Sequence, residues 1–233
     1  MESLKELKER VWEANMELPR RGLVTYTFGN VSGIDRDRGI AVIKPSGVPY
    51  EELSPEMMVL VDLENKVIDS NLEPSSDTRT HTILYKHFNT IGGIVHTHST
   101  YATSWAQALR PIPCLGTSHA DHIPREIPCT DVMTDDQVQG DYEVETGLQI
   151  IERFKDLSCE DVPMVLVAYH GAFSWGKTPE TAVYNSVILE ELAEMALYTL
   201  TINPSVRAID KTLIDKHFLR KHGKNSYYGQ IKK

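Results

Sequence analysis

Residues 92–99 read Gly-Gly-Ile-Val-His-Thr-His-Ser, and no other stretch says as much about the fold. Gly92-Gly93 end the helical pattern before them, and the short apolar run that follows, with its two histidines, predicts a buried strand. His96 and His98 are two residues apart, so on a strand both imidazoles emerge on the same face. This arrangement suits a shared metal ion, and a pair of solvated or core histidines is the alternative.

Helical and strand patterns alternate on both sides of this stretch. Helices are predicted over 4–18, from Asp77 onward, and over 99–109, 142–157 and 178–202, and a last helix from Ile209 is followed by Tyr227-Tyr228-Gly229-Gln230. Strands are predicted over 23–28, 39–43 and 162–169. A hairpin is predicted from 57–63 and 67–69. Because one hairpin is explicit and the strands are short, we expect a sheet with substantial antiparallel content, flanked by helices. No glycine-rich dinucleotide fingerprint follows any predicted strand.

Composition describes an ordinary globular protein. The 233 residues carry a formal charge of −9, with 24% charged and 41% hydrophobic residues, which suits one domain. No basic stretch interleaves with aromatics, so nucleic acid is not an expected partner. No apolar run approaches the roughly 20 residues that cross a bilayer, so no membrane partner is expected either. The N-terminus lacks a signal-peptide pattern and the cysteines read as reduced thiols, which predicts a cytoplasmic location.

A third histidine strengthens the metal hypothesis. His170 follows the apolar stretch 162–169 and stands just before Gly171, where a strand end delivers its last side chain to a cleft. Three imidazoles favour zinc over magnesium or calcium, which prefer oxygen ligands. Asp77 is a further candidate ligand, and its alternative role is to cap the helix that begins beside it.

Two loops of small residues are suited to an oxyanion. They are Lys44-Pro45-Ser46-Gly47, after a predicted strand, and Ser75-Ser76, before a predicted helix. Hydroxyls, free backbone amides, a helix N-terminus and one ammonium can together hold a phosphate dianion. Serine and glycine are also ordinary turn residues. In the polar segment 119–122, Asp121 is a candidate acid or base, with a surface turn as the alternative.

From about residue 4 to residue 230, the sequence resembles the sugar-phosphate 4-epimerases of the class II aldolase/epimerase family. The motifs that carry the resemblance are GNVS at 29–32, KPSG at 44–47, PSSDT at 74–78, GGIVHTHS at 92–99, HAD at 119–121, HG at 170–171, DKHFLRKHG at 215–223 and YYGQ at 227–230. The resemblance implies a single α/β domain over 1–233, with a central, mostly antiparallel sheet flanked by helices on both sides. It also implies a homotetramer with active sites between neighbouring subunits.

The activity that the resemblance implies is the interconversion of L-ribulose 5-phosphate and D-xylulose 5-phosphate. One Zn²⁺ per subunit would assist cleavage and re-formation of a carbon–carbon bond, in carbohydrate metabolism and for example in arabinose catabolism. By matching positions, His96, His98 and His170 would hold the zinc, with Asp77 beside or on it. The implied phosphate-binding group is Asn30, Lys44, Ser46, Gly47, Ser75 and Ser76.

The resemblance also implies the proton-transfer residues. Asp121, together with Tyr228 contributed by the adjacent subunit, would act as acid and base. A tail that merely packs on its own domain is the alternative for Tyr228. Further matching positions are Thr117, Glu143, His217 and Arg220.

Two rivals share the fold. A class II aldolase of the L-fuculose-phosphate type would use the same three histidines, with a glutamate where this chain has Asp77. A non-enzymatic, adducin-like binding domain would be expected to lack the metal ligands, which are all present here.

Overall fold

The computed structural model describes residues 3–223 and Ser226, and these residues form six strands and eight α-helices. The strands are β1 (Asn30–Asp35), β2 (Ile40–Ile43), β3 (Val59–Asp62), β4 (Gly93–Thr97), β5 (Met164–Val167) and β6 (Gly171–Gly176). The helices are α1 (Leu4–Arg20), α2 (Thr78–His87), α3 (Thr100–Gln107), α4 (Thr117–Ala120), α5 (Asp135–Gln139), α6 (Tyr142–Arg153), α7 (Pro179–Ile202) and α8 (Lys211–His222). Two 3₁₀ turns, Tyr50–Glu52 and Pro55–Met57, precede β3.

The six strands form one sheet in the order β3-β2-β1-β4-β6-β5, and every neighbouring pair is antiparallel. The predicted antiparallel sheet is therefore confirmed. Because β1, β4 and β6 lie side by side in alternating directions, the start of β1, the end of β4 and the start of β6 meet at one edge of the sheet. The predicted histidines lie at that edge.

Helices cover both faces of the sheet. Val31, Val42 and Val95 face α1 and belong to one buried cluster. Their strand neighbours Ala41 and Ile94 point the other way, into a larger cluster with residues of α2, α3 and α6. Adjacent strand residues alternate between faces, so two hydrophobic faces require two layers of helix.

The prediction of a strand over 23–28 is wrong. Three residues in and around this segment, Gly22, Tyr26 and Gly29, have φ between 53 and 75°, which breaks an extended chain into turns. The strand begins instead at Asn30. The Asn15 side chain of α1 donates to the Val31 carbonyl at 3.0 Å and accepts from the Val31 amide at 2.9 Å, which holds this strand against the helix.

Three further elements differ from the sequence-based expectation. The predicted hairpin is short, because its second arm contributes one bridge, Val61 to Val67, and β3 pairs mainly with β2. The C-terminal helix ends at His222. Strand β6, which the sequence pattern did not reveal, pairs with both β4 and β5.

Helix α7 is the longest element, and its N-cap is Thr178, whose side chain accepts from the Thr181 amide at 3.2 Å. Across the described part of the chain, the helices are too short or too polar to cross a bilayer.

Candidate active site

Two chain segments bring three histidines together at the sheet edge. His96 is the fourth residue of β4, His98 follows the end of that strand, and His170 occupies the turn between β5 and β6. In the sheet register, His96 lies opposite Phe173 of β6 on one side and opposite Asn30 of β1 on the other. The position of His170 therefore depends on the strand that the sequence did not reveal.

The three imidazoles have the geometry of a metal site. One nitrogen from each ring lies within 4.8 Å of the others, and the Nε2 atoms of His96 and His98 are 3.1 Å apart. Zinc–nitrogen bonds of about 2.0–2.1 Å at a tetrahedral centre place two ligand nitrogens about 3.3 Å apart, so these positions fit such an ion. The spacing of the atoms, and not only their identity, supports a metal centre.

Backbone contacts fix the orientation of the first imidazole. Nδ1 of His96 lies 3.0 Å from the Ala172 carbonyl, to which its N–H donates, so Nε2 keeps its lone pair for a metal. The ring also stacks on Phe173, with centroids 4.3 Å apart.

Gly171 allows the close approach of the strands beneath the cluster. A Cβ at this position would lie 2.7 Å from the Thr97 carbonyl and 3.3 Å from Cε1 of His96. Any side chain here would displace the strand or the ring, which explains a glycine directly after His170.

Burial favours the neutral forms of His170 and His98. It lowers the pKa of His170 to about 3, with further lowering from the charges of His96 and His98. The pKa of His98 is lowered too, by burial and then by His96. Neutral imidazoles are the form that binds a metal.

Asp77 adjoins the cluster and does not cap its helix. Its side chain makes no capping bond to α2 and instead accepts from Nδ2 of Asn30 at 2.6 Å and from Ser75 Oγ at 3.3 Å. Burial opposes its ionisation, but the nearby imidazoles of His96 and His81 hold the carboxyl pKa below its usual value. Asp77 therefore lies beside the histidine cluster without a capping bond, and its role as a metal ligand stays a prediction.

The two predicted oxyanion loops lie side by side. The Ser46 amide donates to the Glu73 carbonyl at 2.9 Å, and the Ser75 amide donates to the Lys44 carbonyl at 3.0 Å. Lys44 is only 2% exposed, and its Nζ donates to the Val48 carbonyl at 2.8 Å. Burial lowers the pKa of Lys44 to about 8. An ammonium, the three serines of the two loops and the N-terminus of α2 thus border one space.

A single cavity of about 490 Å³ joins the loops to the histidines. It brings together most of the residues named from the sequence: Asn30, Lys44, Ser46, Gly47, Ser75, Ser76, Asp77, His96, His98, Glu143 and His170. A polar cavity of this size can hold a small phosphorylated sugar.

Asp121 lies in a different cluster. Its carboxylate accepts from Arg220 at 2.6 and 2.9 Å and contacts Nδ1 of His217 at 3.0 Å, both on α8. Thr117 is in the same place, since its carbonyl accepts from the Asp121 amide at 2.8 Å. None of these four residues lines the histidine cavity within the described chain. Tyr228 lies outside the described residues.

Sequence reasoning missed three residues of the cavity wall: Thr27, Phe28 and Tyr142. The Tyr142 hydroxyl lies 3.4 Å from Nδ1 of His170, and the Phe28 ring lies 6.1 Å from that of His98. The signal for Tyr142 was its place next to Glu143. Phe28 precedes the GNVS motif directly, but the sequence pattern predicts a strand over this position.

Comparison with known proteins agrees with this geometry. Residues 9–197 match the family described as Class II Aldolase and Adducin N-terminal domain. The L-ribulose-5-phosphate 4-epimerase UlaF of Salmonella paratyphi C is 52% identical over 227 residues, which is 97% of this chain and 100% of the relative. UlaF of Salmonella typhi is also 52% identical over the same share of both chains.

Solved structures share the fold at lower identity. An L-fuculose 1-phosphate aldolase superposes with a TM-score of 0.77 at 23% identity, covering 93% of this chain and 96% of the other. YgbL of Escherichia coli, a putative aldolase/epimerase/decarboxylase, gives a TM-score of 0.73 at 22% identity, covering 91% and 98%. At this identity the structures speak for the fold alone. The chain belongs to the class II aldolase and adducin N-terminal domain family.

Proposed function

We propose that this protein is an L-ribulose-5-phosphate 4-epimerase, an isomerase that interconverts L-ribulose 5-phosphate and D-xylulose 5-phosphate. The observation that carries the proposal is one cavity in which three converging imidazoles adjoin a lysine and two serine loops. The epimerases that are 52% identical over 97% of the chain support the same reading.

We propose Zn²⁺ as the metal, one per subunit, held by His96, His98 and His170. All three donors are imidazole nitrogens, which zinc accepts readily and which magnesium and calcium do not prefer. When bound there, zinc supplies Lewis-acid chemistry at the oxygens of the substrate's carbonyl end.

The residues of the chain hold the substrate and move its protons. Lys44, Ser46 and Ser75 bind the phosphate, so the C4–C5 fragment stays in the cavity after the C3–C4 bond breaks. A base takes the proton of the C4 hydroxyl, and the bonding electron pair passes to the three-carbon fragment. The aldehyde then turns over, C3 attacks its other face, and an acid protonates the new C4 oxygen.

Asp121 and Tyr228 are the proposed acid and base. Because Asp121 is ion-paired to α8 of its own chain and does not line the cavity, a neighbouring subunit must bring it to the histidines. Tyr228 follows α8 in the sequence, so we assign both groups to that same neighbour. This requires self-association, which we propose to be the homotetramer. Cytoplasmic location and a role in arabinose catabolism stay predictions.

Subunit mixing tests this assignment. His98→Asn and Asp121→Asn are each expected to be inactive alone, and refolding them together should restore sites built from one intact cluster and one intact neighbour. Asp121→Asn mixed with Tyr228→Phe should stay inactive, because both lesions lie on the same contributed segment. Activity in the second mixture, or none in the first, would overturn the assignment of Asp121 and Tyr228 to the same neighbouring subunit.

The activity itself is tested with zinc-loaded protein and L-ribulose 5-phosphate, followed by detection of D-xylulose 5-phosphate. L-Fuculose 1-phosphate is the control substrate. Epimer from the first and no cleavage of the second supports the proposal, whereas cleavage of L-fuculose 1-phosphate alone would assign an aldolase. Turnover of neither would contradict an enzymatic role.

A further inference from the structure

A buried chain of polar side chains lies behind the metal-binding edge and has no role in the mechanism above. The Ser32 hydroxyl is 2.8 Å from the Tyr85 hydroxyl and 2.7 Å from Nδ1 of His81. All three side chains are at most 1% exposed. On the other side of the His81 ring, Nε2 is buried without a hydrogen-bond partner among the described residues.

The two hydroxyls determine which nitrogen of His81 carries the proton. Among the described residues, the hydrogen-bonding contact of the Tyr85 hydroxyl is with Ser32, so the Tyr85 hydroxyl donates to Ser32, and Ser32 in turn donates to Nδ1 of His81. Nε2 is then an N–H donor. In the reverse arrangement Nδ1 would donate, and the buried Tyr85 proton would have no acceptor, which costs about 1–3 kcal/mol.

Helix α2 places an acceptor beside that donor. The His81 amide donates to the Asp77 carbonyl at 3.1 Å, and Asp77 has helical φ and ψ of −71° and −2°. Residues four apart on a helix are side-chain neighbours, so the Asp77 carboxylate and the His81 ring stand on the same face of α2. Phe173 links His81 to the cluster, since its ring lies 6.0 Å from that of His81 and 4.3 Å from that of His96.

We propose that His81 is a positioning residue that donates its Nε2–H, across one bridging water, to the carboxylate of Asp77 and holds that carboxylate beside the histidine cluster. Buried waters typically bridge polar groups that are otherwise unsatisfied, as Nε2 of His81 is among the described residues. Asn30 and Ser75 already engage the other side of the Asp77 carboxylate, so His81 completes its restraint. The consequence for turnover rests on the proposed function, but the tautomer and the metal affinity do not.

Two isosteric variants separate this role from simple packing. The amide nitrogen of glutamine can take the place of Nε2, whereas asparagine reaches only as far as Nδ1. We expect His81→Gln to keep kcat within about threefold of wild type, and His81→Asn to lose at least about tenfold in kcat with KM little changed. Such a loss corresponds to about 1.4 kcal/mol. In an Asp77→Asn background, His81→Asn should cost nothing further.

Two readouts do not depend on turnover. ¹⁵N NMR of the metal-free wild type should show His81 as the neutral Nε2–H tautomer, and Ser32→Ala should remove that preference. Zinc affinity, measured by chelator competition, should fall about 10- to 100-fold in His81→Asn and less in His81→Gln. An Nδ1–H tautomer in the wild type, or equal zinc affinity and kcat in the two His81 variants, would overturn the proposal. If the tautomer and zinc results hold while L-ribulose 5-phosphate is not converted, only the proposed function fails.

Discussion

Replacing Lys44 by methionine tests the phosphate site directly. The Lys44 side chain is 2% exposed, its Nζ donates to the Val48 carbonyl at 2.8 Å, and it lies 5.0 Å from the centre of the Tyr50 ring. Methionine keeps the length and apolar character of the stem and removes the charge. The variant therefore changes the anion site while preserving most of the packing.

The expected loss is one charge-assisted hydrogen bond to the phosphate. Such a bond contributes about 1.5–3 kcal/mol, which corresponds to an increase in KM of roughly 10- to 150-fold. Because the phosphate does not react, kcat should change much less. Steady-state kinetics with L-ribulose 5-phosphate measure KM and kcat. Titration calorimetry with inorganic phosphate measures the affinity of the anion site directly.

The pH dependence of kcat/KM should also differ between the wild type and Lys44→Met. Burial lowers the pKa of Lys44 to about 8, so the free enzyme carries the ammonium below that pH and loses it as the pH rises through it. Since a phosphate binds the charged form, kcat/KM of the wild type should decline above about pH 8. This alkaline decline should be missing in Lys44→Met.

A surface lysine supplies the matched control. Lys86 pairs with Glu64 at 2.9 Å in an exposed position, and Lys86→Met should leave KM and the pH profile unchanged. An unaltered KM in Lys44→Met, or the same alkaline decline in that variant, would refute the assignment of Lys44 to the phosphate.

Three further predictions concern proton transfer and stability. Asp121→Asn and Tyr228→Phe should each lower epimerisation about 10²- to 10⁴-fold while zinc content, measured by elemental analysis, stays at the wild-type level; full activity in both would contradict their role. The bond from Arg10 lowers the pKa of Glu180 to about 2, so this pair adds stability above pH 4.5 that is lost as the pH falls toward 2. Because Glu180 is half exposed, Glu180→Gln should lower the free energy of unfolding by at most about 1 kcal/mol, measured by urea unfolding at pH 7. Thr103 buries a hydroxyl without a partner among the described residues. Thr103→Val should therefore retain full activity and raise the free energy of unfolding by up to about 1 kcal/mol. A large decrease in that free energy would contradict the absence of a hydrogen bond.

The residues of the histidine cluster were predictable because their signal is local. A histidine pair at strand spacing, and a third histidine between an apolar run and a glycine, indicate their chemistry without knowledge of the fold. The lysine and serine loops were found in the same way. Their meeting in one cavity depends on the strand order, which places the ends of β1, β4 and β6 together.

The elements that sequence reasoning missed are stabilised by distant partners. Strand β1 is polar at Asn30 and Ser32, and these buried side chains are hydrogen-bonded to Asp77 and His81, far along the chain. Local periodicity contains no trace of such partners. The apparent strand over 23–28 shows the reverse case, since its β-branched and aromatic residues are overridden by left-handed turns.

Asp121 illustrates a third limit. Its chemical type suggested an acid or base, but no local pattern indicates that Arg220 and His217 hold it in a cluster outside the histidine cavity. An ion pair between residues about a hundred positions apart follows from the docking of α8 against α4, which is a tertiary event.

Zinc titration tests the central claim most directly. Metal-free wild type should bind one Zn²⁺ per subunit, as measured by chelator competition. Replacing His96, His98 or His170 with asparagine should in each case weaken that binding by more than the roughly 10- to 100-fold loss that is typical when a residue hydrogen-bonded to a metal ligand is replaced. His87→Asn, at an exposed position on α2, is the control and should bind zinc as the wild type does. Wild-type protein that binds no zinc, or variants at the three histidines that bind it as tightly as the control, would contradict the account.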